Sequence, residues 1–159
     1  YLEVLSRNMV AQEHNMSCAA ACIRQLAKDN GIEMTEKAIR EFARTTQEMG
    51  TFPDGILDGL KKVFKDKEIE AGMFYNPKIS DIDMARSISE SGSWITIVRP
   101  SGSIPHAIII DKIQDGKVFI RDPFPIEGIN KGKGVEATIS EIEFATIWAQ
   151  GGNYVFKVK

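Results

Sequence analysis

Two apolar runs, His106 to Ile113 and Lys117 to Arg121, flank the tripeptide Gln114-Asp115-Gly116. Asp and Gly reach the positive φ angles of a tight turn at low cost, so this pattern predicts an antiparallel hairpin. No other stretch restricts the fold as much. Antiparallel pairing carries His106, which opens the first strand, and Asp122, which closes the second, to the same edge of a sheet. Pro123 and Pro125 end the second strand, because proline supplies no N–H to a ladder.

The rest of the chain divides by hydrophobic period. Helical spacing comes first. A helix is predicted from Ser17 to Asn30-Gly31, a second capped by Thr35 with Ala38, Ile39, Phe42 and Ala43 inward, and a third capped by Asp54 and running through Phe64. Alternation over 69–74 then predicts a strand, followed by a helix starting at Ser80 and a β-branched strand over Trp94–Val98. After the hairpin come a Gly/Lys loop from Gly128 to Gly134 and a strand through Ile139. Ser140 with Glu143 makes a capping box for a short helix through Trp148, and a last strand covers Tyr154–Val158. Residues 1–11 show only scattered apolar positions and are expected to pack loosely. Helices lead and strands follow, so the class is α+β, with N-terminal helices packed on a C-terminal, mainly antiparallel sheet.

With 159 residues, 43% of them hydrophobic and 26% charged, the chain suits one folded domain spanning 1–159. A net charge of −2 without a basic block argues against nucleic acid as a partner. No apolar run is long enough for a membrane span, and no signal peptide opens the chain. The first residue is Tyr1, which suggests a domain excised from a longer protein, with any targeting segment upstream and the localisation open.

Chemistry concentrates in the stretch from Gln12 to Leu26. Cys18 falls in the first turn of the first predicted helix, with Ser17 as its N-cap. There the helix dipole favours thiolate, the nucleophilic form. Gln12, six residues earlier, can turn back beside the helix start and donate to an oxyanion. A thiol nucleophile needs a base and the base an orienter, roles that His106 and Asp122 fit. Each residue alone has a plainer reading: Cys18 as a small core residue, His106 as a loop residue, Asp122 as a turn former before proline. Their joint placement favours the catalytic reading. Cys22, one helical turn beyond Cys18, is too far for a disulfide within an intact helix. Two cysteines and two histidines also fall short of a structural zinc signature, so neither metal nor cofactor is expected.

These motifs resemble a known family. Gln12 ahead of Cys18 at a helix start, the run His106-Ala107-Ile108-Ile109-Ile110, and Val118-Phe119-Ile120-Arg121-Asp122-Pro123 after a tight turn look like a papain-like cysteine peptidase. The likeness, over residues 12–125, is to the bacteriocin-processing peptidases that cut leader peptides after a double glycine, and to their stand-alone relatives. It implies a papain-like fold, Cys18 as nucleophile, His106 as base, Asp122 as orienter, Gln12 as oxyanion donor and Cys22 as a structural cysteine. This chain has Ser17 and Ala19 where the family usually has Asp and Gly around the nucleophile. The expected function is a thiol hydrolase cleaving peptide or side-chain amide bonds, as a toxic or processing domain of a larger bacterial protein. Deamidation and transglutamination use the same thioacyl chemistry. The expected partners are a protein or peptide substrate and a protein inhibitor or immunity partner. The alternative is a non-catalytic, peptide-binding relative.

Overall fold

The computed structural model describes residues 1–124 and 132–159. In chain order the elements are β1 (Glu3–Ser6), α1 (Cys18–Asp29), α2 (Glu36–Phe42), α3 (Pro53–Val63), β2 (Ile69–Met73), α4 (Asp81–Ser89) and β3 (Trp94–Val98). Then come β4 (His106–Gln114), β5 (Lys117–Asp122), β6 (Val135–Ser140), α5 (Glu141–Gln150) and β7 (Tyr154–Val158). Among the described residues the seven strands form one antiparallel sheet in the order β1-β6-β5-β4-β3-β7-β2. The expected α+β, papain-like architecture is present. Most of the proposed Gly128–Gly134 loop lies outside the described residues.

The central hairpin forms as its turn chemistry predicts. Asp115 and Gly116 have φ of 55° and 77°, and Gln114 pairs with Lys117 across the turn. The ladder slips between Ile110 and Lys112, leaving Asp111 as a bulge residue. Period two then sorts the side chains. Ile95, Ile97, Ala107 and Ile109 face a core shared with α1, α2 and α3. Trp94, Val98, Ile108 and Ile110 face a second core closed by α4 and α5. Helices therefore cover both faces of the central strands, and all five residues of β3 are buried. In the second core Phe144 stacks on Trp148 at 5.6 Å, with Trp94 edge-on to both. Each such aromatic pair adds about 0.5–1.5 kcal/mol beyond its buried area.

Local signals set most helix starts. Thr35, Ser80 and Ser140 each accept an N–H three residues on, from Ala38, Asp83 and Glu143. Two expected caps differ. Helix α3 begins at Pro53, with Phe52 as its N-cap, because proline's fixed φ suits the first helical position; Asp54 instead accepts from the N–H of Gly55. Ser17 occupies the N-cap of α1 without a side-chain cap bond. Its hydroxyl donates to the His14 carbonyl and accepts from the His14 N–H, closing the loop ahead of the helix.

The N-terminal segment also departs from expectation. Residues 3–6 form an edge strand on β6, with Glu3 opposite Thr138 and Val4 opposite Ala137. All four side chains are exposed, so burial left no periodic trace of this strand in the sequence. Among the described residues, no helix is long and apolar enough to cross a membrane.

Candidate active site

Cys18 is the first residue of α1, His106 the first of β4 and Asp122 the last of β5. Helix α1 packs on the sheet face that carries Ala107 and Ile109. This brings Cys18 over the start of β4, where the Ala107 N–H donates to its sulfur at 3.4 Å. The hairpin register returns β5 to the same edge, and His106 Nε2 lies 2.7 Å from Asp122 Oδ1. With Nε2 spent on the carboxylate, Nδ1 is the ring nitrogen left to act on the thiol. Asp122 Oδ1 also accepts the Phe124 N–H at 2.9 Å, and Oδ2 accepts the Tyr1 hydroxyl. Gly134 crosses behind the strand end: a Cβ there would stand 2.3 Å from the Asp122 carbonyl, so only glycine permits this approach.

The electrostatics favour a thiolate–imidazolium pair. Burial pushes the Cys18 thiol up, but the hydrogen bond and charge of His106, aided by the N–H groups of Ala107 and Ala19, carry it below its ordinary value. Burial pushes His106 down, yet hydrogen bonds to Asp122 and Cys18 and their charges raise it to about 10. Asp122 is raised by burial and lowered further by His106, Tyr1 and the Phe124 N–H, so it stays ionised. Cys22 is fully buried and does not share this activation. Burial, then the negative charges of Cys18 and Asp122, push its thiol well up. The two cysteines remain free thiols.

Gln12 is buried in the loop before α1. Its backbone N–H donates to the Pro123 carbonyl at 2.9 Å, tying that loop to the end of β5. Its side-chain amide donates to the carbonyls of His14 and Asn15 at 2.8 and 3.0 Å, while Oε1 is buried without a partner. Both amide protons are therefore engaged in this state. Two further residues hold the loop: Gln25 accepts the Val10 N–H, and the fully buried Glu36 accepts the Glu13 N–H. Glu36 also lies 3.1 Å from the Arg40 guanidinium, without hydrogen-bond alignment between them.

Sequence reasoning missed three groups around this site: Tyr1, Glu36 and Arg121. Arg121 is 5% exposed and bonds Asp111 through Nε and Nη2 at 2.9 Å each, and Asp29 at the end of α1 at 2.8 Å. A charged residue inside an apolar strand run was the available signal for it, since buried arginine requires partners.

Cys18 and His106 open onto a cleft of about 490 Å³ with a largely apolar wall that includes Met16, Phe52, Ile97 and Tyr154. Met49, Phe52 and Ile104 stand exposed around it. An activated thiol, an imidazolium and an apolar cleft together suit acyl transfer from a peptide-like amide.

Comparison with known proteins agrees. The sequence model of the Peptidase C39 family matches residues 6–156. Cysteine protease effector 1 of Escherichia coli O1:K1:H7 is 27% identical over 157 residues, covering 98% of this chain; the chain spans only 28% of the effector's length. The peptidase domain of Streptococcus ComA, a bi-functional ABC transporter involved in quorum sensing, shares the fold with a TM-score of 0.74 at 19% identity, covering 96% of this chain and 98% of that one. A double glycine motif protease from an AMS/PCAT transporter, solved with its leader peptide, gives 0.70 at 12% identity, covering 100% and 99%. A C39-like peptidase from Bacillus anthracis gives 0.72 at 12% identity, covering 99% and 97%. Matched over nearly its whole described length, the chain belongs to the Peptidase C39 family, as a cysteine peptidase domain of papain-like fold.

Proposed function

We propose that this domain hydrolyses peptide bonds through Cys18, His106 and Asp122, with Gln12 assisting at the oxyanion. The observation that carries the reading is the convergence of a helix start and two strand ends on a thiol, an imidazole and a carboxylate, with the thiol and the imidazole lining one cleft. The Cys18 thiolate attacks the scissile carbonyl, forming a C–S bond and a tetrahedral oxyanion. The Cys18 backbone N–H, in the first turn of α1, donates to that oxygen. Gln12 joins it by exchanging one of its two loop carbonyls for the oxyanion. As the intermediate collapses, His106 passes its proton to the departing amine, leaving a thioester. His106, now neutral, removes a proton from water, which attacks the thioester and releases the acid and the thiol. Asp122 holds the ring and stabilises its charged form throughout.

The same thioester serves side-chain amides, so deamidation is the competing outcome. An apolar cleft beside the thiol supports an extended peptide as substrate. Cleavage after a double glycine, as in the leader-bound transporter protease, is the specificity to test first, with Ala19 and Ser17 as the local departures. The parent protein is proposed to act as a bacterial effector or toxin, on the strength of its effector relative. The exposed apolar rim of the cleft suits a protein inhibitor that shields it. The test is mass spectrometry of bacterial proteins incubated with the domain or with Cys18→Ala. New N-termini that depend on Cys18 support the reading; Cys18-dependent deamidation without new termini replaces peptidase by deamidase. No Cys18-dependent change of either kind refutes hydrolysis.

A further inference from the structure

We infer that Tyr1 is a positioning residue for the orienter Asp122, making the N-terminal segment a working part of the active centre. The inference rests on the Cys18–His106–Asp122 assignment above. Asp122 is 8% exposed, so each carboxylate oxygen needs partners inside the protein. Oδ1 has two, His106 Nε2 and the Phe124 N–H. Oδ2 has the Tyr1 hydroxyl as its hydrogen-bond donor among the described residues. The hydroxyl therefore fixes the carboxylate's rotation and, through it, the imidazole that ionises Cys18. It stays a donor, because desolvation of the hydroxyl and the Asp122 charge raise its pKa above the ordinary phenol value, although the residue as a whole is half exposed.

The chain delivers Tyr1 in a defined way. The Leu2 N–H bonds the Thr138 carbonyl, and Glu3 pairs with Lys117 on the strand that ends in Asp122. The charged group facing Asp122 is His106 from β4, which in turn bears on Cys18. Arg121, its neighbour on β5, is engaged by Asp29 and Asp111. Among the described residues no cation hydrogen-bonds Oδ2.

Alkylation of Cys18 by iodoacetamide across pH tests this without a substrate. Tyr1→Phe keeps the ring and removes only the hydroxyl. It is expected to slow alkylation about tenfold at mildly acidic pH and to move the rate's midpoint upward, the scale of losing one hydrogen bond to a charged group. Thermal unfolding should be nearly unchanged, and Leu2→Ala, an exposed neighbour, should alkylate like the wild type. The decisive arm is the double variant. If Tyr1 acts through Asp122, Tyr1→Phe adds nothing once Asp122→Asn is present. Additive effects, or a Tyr1→Phe profile matching wild type, would overturn the inference. If Asp122→Asn itself left the profile unchanged, the triad assignment would fall instead, so the two failures are distinguishable.

Discussion

Replacing Arg121 by Met tests how the helix bearing the nucleophile is tied to the sheet. The guanidinium is buried, while its partners Asp29 and Asp111 are 33% and 24% exposed at their side chains. Arg121→Met keeps the apolar stem and takes the cation from both carboxylates, leaving Asp29 the Gln25 amide and Asp111 the Ser93 hydroxyl. Breaking a fully buried pair costs about 3–5 kcal/mol, because a charge is left without its partner. Water reaches both aspartates here, so the expected loss is about 2–3 kcal/mol, nearer the buried than the exposed limit. At about 2–4 °C per kcal/mol for a chain of this size, Tm should fall by about 5–10 °C. Arg121→Lys should recover less than half, since an ammonium cannot reproduce the fork held by Asp111 and Asp29 together. Urea unfolding followed by circular dichroism, with an unchanged denaturant slope, is the assay. Salt should rescue little, because buried pairs are weakly screened. A loss under about 1 kcal/mol would place the network in the range of surface pairs, and the tethering argument would fail.

Three further outcomes are expected. Cys18→Ala should abolish hydrolysis with little change in stability, whereas Cys22→Ala, at a fully buried site, should keep activity and lower stability by about 1 kcal/mol, read by thermal unfolding. Gln12→Ala should lower kcat by about 10²–10³ with KM little changed if the amide serves the oxyanion, and should leave Cys18 alkylation at the wild-type rate; equal loss in both assays would assign Gln12 to the resting loop instead. The pH dependence follows from the shift directions. Because His106 is raised to about 10, its stabilising contribution is complete below the ordinary imidazole value and is lost as pH rises through about 10. Cys18 and Asp122 are lowered, so their contributions are present above their ordinary values and are lost as pH falls through the folded ones. Hydrolysis should therefore fall above about pH 10, where His106 no longer protonates the amine, while alkylation of the thiolate persists. Parallel loss of both would report unfolding of the site, since rising pH cannot reprotonate a thiolate, and the limit would then not belong to His106.

Where a structural decision rests on neighbours in the chain, the sequence displayed it. Asp115 and Gly116 set the turn, and antiparallel pairing from it brings His106 and Asp122 to one sheet edge; the one-residue shift at Asp111 that puts them on the same face was not legible. Thr35, Ser80 and Ser140 reach only three residues to make their caps. Decisions resting on distant backbone were hidden. Strand β1 is defined by pairing with β6 across the length of the chain and buries no side chain that would mark it. The Gln12 amide is held by carbonyls, which every residue carries, so its engagement has no signature. Asp54 was a reasonable cap on local grounds, but Pro53 had already taken the first helical position. Arg121 was visible as a charge within an apolar run; its partners were not, because Asp111 turns toward it only through the bulge.

The place of β7 inside the sheet, between β3 and β2, bears on how the molecule is made. A ribosome releases the chain from its first residue onward. Strand β2 leaves before its partner β7, the last strand of this domain among the described residues, and β1 likewise waits for β6. The middle of the sheet, β3 to β5, can pair as soon as it appears, with α1 already available to dock on it. A nascent chain thus has the material for its reactive centre while both sheet margins are still open. Before Asp122 emerges, Cys18 and His106 lack the carboxylate that sustains their charge separation, so the thiol is held back until β5 has been made. Completion of this domain's sheet then falls to β7, and a domain made without it would carry an armed site on an unfinished, adhesive sheet.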